Sequence, residues 1–133
     1  MTDLVFFYGT LMSGFKRPGR SRIDAKLTAV GRGSIGAALF DLGIYPAAIP
    51  SSDSRVNGEV HRMTDADGVL AALDEIEGYR PDEPDTSLYT RIETAVTFAD
   101  GHQEPAWAYF YNAPLGQARR IESGDYLEHL KVK

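Results

Sequence analysis

An α+β fold dominated by strands is what this sequence predicts, on three observations. Short apolar runs recur along the chain, each ended by Gly or Pro. One segment, residues 65–77, repeats its apolar positions at helical spacing and is followed by Gly78 and Pro81, which stop a helix. A ten-residue alternating segment, 89–98, precedes Asp100-Gly101 and a second apolar segment, the pattern of a β-hairpin. With 133 residues the chain can bury one real core and not two, so residues 1–133 are expected to form a single domain.

Taken in order, residues 4–7 read as a first strand. Because all four are apolar, that strand should be covered on both faces, as in a central strand or a barrel wall. Residues 15–22 read as a loop. Residues 26–30, 37–42 and 58–63 read as further strands, separated by Gly31, Gly33, Gly36, Gly43, Pro46 and Pro50. The helix at 65–77 has Thr64 as its expected N-cap and Asp67 at the capping-box position, where an acidic side chain also suits the helix dipole.

Residues 80–87 are rich in Pro and Asp and should form an exposed loop. Along 89–98, Tyr89, Arg91, Glu93, Ala95 and Thr97 alternate with Thr90, Ile92, Thr94, Val96 and Phe98, and 105–112 supplies the returning strand. The tail, 117–130, reads as one or two short helices broken near Ser123-Gly124. No internal repeat, low-complexity segment or linker interrupts this order.

Composition removes several classes of function. A net charge of −5 argues against a nucleic-acid partner, and the short basic run Lys16-Arg17-Pro18-Gly19-Arg20, with Arg22, reads as a solvated loop. The absence of cysteine removes thiol nucleophiles, thiolate metal sites and disulfides together. No window approaches the roughly 18 apolar residues of a membrane span, and the chain starts directly in a strand-like run. The expectation is a cytoplasmic protein with no membrane partner. Chains of this size often form homodimers, and the sequence leaves monomer or homodimer open.

Two features point to chemistry. On a helix turning about 100° per residue, Glu77 falls between Leu70 and Leu73, on the stripe that should face the core. Burying a carboxylate costs several kcal/mol unless it is paired or protonated, and desolvation lifts its pKa toward the range of a general acid/base. The plainer reading is that Glu77 reaches solvent or pairs with Arg80 or Arg91. The second feature is Tyr8-Gly9-Thr10-Leu11, directly after the first strand. Glycine lets a backbone approach a ligand, and successive free N–H groups can form an anion-binding nest, although most such tetrapeptides are only turns.

Other motifs carry less. Gly31-Arg32-Gly33-Ser34-Ile35-Gly36 matches GxGxxG, but Gly43 and Pro46 leave little room for the helix a dinucleotide fingerprint requires. His61, His102 and His129 lack metal-ligand spacing, and there is no GxSxG elbow. Trp107, Tyr109 and Tyr111 share one strand face and read as core or pocket wall.

Seven pieces in order resemble the γ-glutamylcyclotransferase-like family, which includes the AIG2-like proteins. They are Phe7-Tyr8-Gly9-Thr10-Leu11, Asp41-Leu42-Gly43-Ile44-Tyr45-Pro46-Ala47, Val56-Asn57-Gly58-Glu59-Val60 and Leu73-Asp74-Glu75-Ile76-Glu77-Gly78-Tyr79. Leu88-Tyr89-Thr90-Arg91, Trp107-Ala108-Tyr109 and Ser123-Gly124-Asp125-Tyr126 complete the series. The resemblance covers nearly the whole chain. It implies a compact mixed β-barrel flanked by short helices, with a pocket at one mouth. It also implies that the backbone of Tyr8, Gly9, Thr10 and Leu11 holds the glutamyl end of a substrate, that Glu77 is the catalytic residue, and that Tyr89 and Tyr109 line the pocket. Thr10 stands where serine is common in the family and Tyr126 where many relatives have tryptophan.

The implied reaction is metal-free and cofactor-free. A γ-glutamyl amide, a small molecule, closes on itself by intramolecular aminolysis and releases 5-oxoproline and an amine or amino acid. The alternatives are a non-catalytic small-molecule-binding domain of the same fold, or an enzyme acting on a different amide. The leaving amine is not named by the sequence.

Overall fold

The computed structural model describes residues 2–13, 15, 17 and 19–131. Strand β1 (Leu4–Phe7) is buried at all four positions, as its unbroken apolar run requires. It lies between β3 (Pro46–Met63), antiparallel, and β5 (Gln103–Tyr111), parallel. β4 (Tyr89–Phe98) pairs with β5 and with β2 (Leu27–Asp41), and β2 pairs back onto β3. The order β3-β1-β5-β4-β2 therefore returns to β3 and closes a five-stranded mixed barrel, which leaves no free edge among these strands. Phe6, Ile35, Val56, Val60, Val96 and Ala108, from all five strands, are buried together with Leu73 of α1 (Ala66–Glu77).

Several boundaries differ from the sequence expectation, each for a local reason. β2 is one strand of fifteen residues rather than two runs at 26–30 and 37–42. Register shifts between Ala29 and Gly31 and between Gly36 and Ala37 absorb the irregular segment without ending the ladder. Gly33 is needed there, because a Cβ would stand 2.6 Å from Val96 Cγ1. The GxGxxG match is thus a strand packed against β4, and no helix opens from it. β3 extends back from 58–63 to Pro46, with Pro46 at its first residue and Pro50 beside the second register shift, the two places where a strand tolerates proline.

The helix begins one residue later than expected. Asp65, not Thr64, is the N-cap, at φ 58°, and its carboxylate accepts from Gly68 N at 3.3 Å and from Lys26 Nζ at 2.9 Å. Asp67 consequently does not occupy a capping-box position. At the other end Gly78 adopts the left-handed conformation, φ 70°, that terminates the helix. β5 starts at Gln103 rather than 105, because Phe98 N donates to His102 O at 2.9 Å and keeps the hairpin turn tight. The tail is a short strand, β6 (Arg119–Arg120), paired to Phe40 and Asp41, followed by α2 (Tyr126–Lys131). The break near Ser123-Gly124 is where expected, but the part before it is strand. Among the described residues no helix is long and apolar enough to cross a membrane.

Candidate active site

The chain turns as soon as β1 ends, with Met12 N donating to Gly9 O at 3.0 Å. The turn lies against the start of β3, where a Cβ on Gly9 would come within 2.7 Å of Pro46 Cγ, so an unbranched backbone is needed at this position. Two bonds tie the loop down from outside: Ser13 N donates to Glu59 Oε1 at 2.8 Å, and Arg20 Nε to Leu11 O at 3.0 Å. The N–H groups of Gly9, Thr10 and Leu11 donate to no described residue. Three successive donors in this loop are therefore without a described acceptor, the composition of an anion-binding nest.

A small pocket, open to solvent on one side, lies between this loop, the last turn of α1, the starts of β3 and β4 and the ends of β1 and β5. Tyr8, Gly9, Thr10 and Leu11 line it on one side, with Glu77, Tyr89 and Tyr109 on the others. Every residue the sequence singled out thus meets around one space, although Glu77 and the loop are far apart in the chain. Phe6, Phe7, Arg17, Tyr45 and Pro46 complete the lining.

Glu77 is half-buried as a residue because it borders the open pocket. The protein packed around its carboxyl nevertheless removes enough water to push it from 4.5 to about 7, with the Arg17 cation pulling in the opposite direction. No hydrogen bond or ion pair joins the Glu77 carboxyl to another described residue. The plainer sequence reading, a pair with Arg80 or Arg91, is not what the fold builds. Arg80 reaches Glu83 at 3.2 Å, and Arg91 grips Asp74 through Nε at 2.8 Å and Nη2 at 3.1 Å.

The tyrosine hydroxyls are committed to the framework. Tyr8 Oη donates to Tyr109 O at 2.7 Å and accepts from Ala48 N at 3.3 Å. Tyr89 Oη donates to Pro46 O at 3.1 Å, and Tyr109 Oη to Asp74 Oδ1 at 2.6 Å. Burial is the first cause that raises all three phenols above their usual range; at Tyr109 the bond to Asp74 adds to it, and at Tyr89 the Glu77 charge does. These rings serve as rigid, neutral walls that fix the starts of β3 and β4, the end of β5 and the loop relative to α1.

Arg17 and Asp74 are the residues the sequence undervalued. Arg17, assigned to a solvated basic run, lines the pocket, donates to Thr10 Oγ1 at 2.6 Å and stacks over Tyr45, 4.7 Å from the ring centroid. Its neighbours Lys16 and Pro18 lie outside the described residues. The one available signal was position, directly behind the Tyr8–Leu11 loop. Asp74, which the sequence offered only as part of the segment running from Leu73 to Tyr79, is 7% exposed and holds Arg91 and Tyr109 at once. Among the described residues no group of three or more His, Asp and Glu is placed to hold a metal ion.

Comparisons with known proteins bear on the family and the fold. Residues 5–128 match the family described as Gamma-glutamyl cyclotransferase, AIG2-like. The chain is 33% identical over 129 residues to the gamma-glutamylcyclotransferase family protein YtfP of Escherichia coli (strain K12), covering 96% of this chain and 98% of YtfP. The solution structure of protein ytfP from Escherichia coli superposes with a TM-score of 0.62 at 29% identity, over 95% of this chain and 97% of that one. The crystal structure of YkqA from Bacillus subtilis has a TM-score of 0.73 at 23% identity, over 99% of this chain but 42% of YkqA, and speaks for the fold alone. A closed mixed barrel of the same architecture, matched in sequence along nearly its whole length, places this chain in the γ-glutamylcyclotransferase, AIG2-like family.

Proposed function

We propose that this protein cyclises a γ-glutamyl amide by intramolecular aminolysis, with Glu77 as general acid/base. The observation that supports it most is the carboxyl of Glu77, which no described residue pairs, pushed up to about 7 beside a pocket whose backbone donors have no described acceptor. A carboxyl with a pKa near the working pH can both accept a proton and return it, which an ordinary glutamate does poorly.

The substrate binds curled, so that its α-nitrogen lies against its own γ-carbonyl carbon. Holding that conformer is the main task of the pocket walls, and well-oriented intramolecular attack can supply about 7–11 kcal/mol of the barrier. The Glu77 carboxylate takes a proton from the α-ammonium, and the freed amine attacks the γ-carbon to close a five-membered lactam. Negative charge on the carbonyl oxygen is met by N–H donors of the loop carrying Gly9, Thr10 and Leu11, which also hold the glutamyl end. Collapse breaks the bond to the leaving nitrogen, which receives the proton held by Glu77; the second proton, shed by the ring nitrogen after attack, passes through the same carboxylate and departs with the released amine as its ammonium. The products are 5-oxoproline and a free amine or amino acid; water is not consumed, and neither a metal nor a nucleotide enters these steps. Tyr89 and Tyr109 keep water from the folded substrate.

The test is 5-oxoproline release from a panel containing γ-glutamyl-alanine, γ-glutamyl-ε-lysine and γ-glutamyl-amines, with wild type beside Glu77→Gln. Release by wild type and a loss of at least about a hundredfold in a folded Glu77→Gln protein is the expected result. A panel without any 5-oxoproline would move the reading to a binding domain or a different amide.

A further inference from the structure

We propose that Glu59, held in place by His61, is a positioning residue of the active site: by fixing Ser13 it aims the N–H groups of Gly9, Thr10 and Leu11 that meet the developing oxyanion. The inference rests on the cyclisation reading above and extends it to a part of the molecule outside the pocket.

Glu59 and His61 alternate with Val60 on β3, so they share one face of the strand, and neither lines the pocket. Glu59 pairs with Phe7, the last residue of β1, and so stands beside the point where the loop leaves the sheet. One oxygen, Oε1, accepts from Ser13 N at 2.8 Å and from His61 Nε2 at 3.1 Å. Burial alone would raise this carboxyl, but the bonds from Ser13 N and His61 outweigh it and hold it below the usual 4.5. Glu59 is therefore an ionised acceptor at neutral pH.

Two features show that this arrangement serves the loop rather than the core. Ser13 is exposed, so water could satisfy its amide, yet the fold gives it a carboxylate whose side chain is 18% exposed. The His61 side chain is 5% exposed, its ring lies 5.4 Å from that of Phe7, and its Nδ1 is buried without a described partner. A phenylalanine would fill that space without leaving a polar atom unbonded, so the use of a histidine lies in Nε2, which faces the carboxylate. The loop is thus pinned at Gly9 O by Met12, at Leu11 O by Arg20 and at Ser13 N by Glu59, while its own three donors have no described acceptor. Bonds made by their neighbours set the direction of those donors, and a misplacement of about 1 Å in such a constellation can cost about a hundredfold in rate.

Glu59→Ala, Glu59→Gln and His61→Phe separate positioning from stability. In folded Glu59→Ala protein, kcat on the substrates that wild type turns over should fall at least about tenfold, with KM changed less than about threefold. Glu59→Gln keeps an oxygen for Ser13 N and should recover kcat to within about threefold of wild type. His61→Phe should lower kcat about threefold or more while its urea midpoint stays at or above that of wild type, a divergence that a purely structural role would not produce. Amide exchange followed by NMR needs no turnover. Ser13 N–H should exchange at least about tenfold faster in Glu59→Ala, and the Thr10 and Leu11 amide resonances should move with it. The inference is overturned by wild-type kcat in Glu59→Ala or His61→Phe, by Glu59→Gln as impaired as Glu59→Ala, or by Thr10 and Leu11 resonances that stay in place. Moved resonances with no 5-oxoproline from wild type would instead sink the cyclisation reading and leave Glu59 as the residue that sets the loop.

Discussion

Asp74 and Glu77 stand on the same helix, less than one turn apart, and the fold treats them in opposite ways. Asp74 is 7% exposed and fully engaged, with two bonds from Arg91 and one from Tyr109. Glu77 is desolvated too, yet no described group bonds to it, and its carboxyl rises to about 7. The contrast shows that burial does not by itself make an acid/base. A buried carboxylate given a guanidinium becomes a structural anchor, whereas one denied a partner keeps its proton into the neutral range. Here the anchor also shapes the site, because Tyr109 bonds to Asp74 through its hydroxyl and receives Tyr8 Oη on its carbonyl.

The largest effect expected from breaking that contrast is at the anchor. Asp74→Ala leaves the Arg91 guanidinium half-buried without its anion and Tyr109 without its acceptor, and removing one partner of such a pair costs about 3–5 kcal/mol. Urea denaturation measures it; a cost below about 1 kcal/mol would mean that the pair is ornamental and that the two carboxylates are not different in kind. Glu77→Gln should act with the opposite sign. The folded-state value of about 7 lies above the ordinary 4.5, so below 4.5 the group is protonated in both states and costs nothing. As pH rises from 4.5 to 7 the unfolded chain releases this proton before the folded one, and stability falls. Above pH 7 the full penalty, on the order of 3 kcal/mol, is present, and Glu77→Gln should be the more stable protein by about that amount. The difference should vanish near pH 4.5. A Glu77→Gln protein no more stable than wild type at pH 8 would return Glu77 to the class of Asp74.

Half of this contrast was legible in the sequence. Glu77 falls between Leu70 and Leu73 on a helical wheel, a local periodicity that a linear reading recovers, and the helix stop at Gly78 and the hairpin at Asp100-Gly101 are equally local. The partner of Asp74 is not local. Arg91 stands opposite Tyr109 only because of the β4–β5 register, and both reach Asp74 only once the barrel closes against α1. The long β2–β3 hairpin was hidden for a different reason. Its glycines and prolines look like breaks, but two register shifts absorb them, and Gly33 answers the packing of Val96 rather than a turn. Arg17 was hidden by company, since a basic run among Gly and Pro has the composition of a solvated loop.

The smallest effect concerns Arg17, a described charge that reaches Glu77 without bonding to it. On the cyclisation reading only the carboxylate form can take the α-ammonium proton, so kcat/KM should climb about tenfold per pH unit on the acid side and level off around the Glu77 value of about 7. Arg17 is the described cation that opposes the rise caused by burial. A nearby positive charge favours the carboxylate, so Arg17→Gln removes that support and must shift the acid limb toward higher pH, while Arg17→Lys, which keeps the charge, should leave it nearly in place. The position of the limb is independent of any change in KM, so this measurement isolates the electrostatic contact from substrate binding. A limb unmoved by Arg17→Gln would show that desolvation alone tunes Glu77. A limb near 4.5 in the wild type would show that Glu77 is solvated, and the difference between the two carboxylates would then lie only in which of them the fold chose to pair.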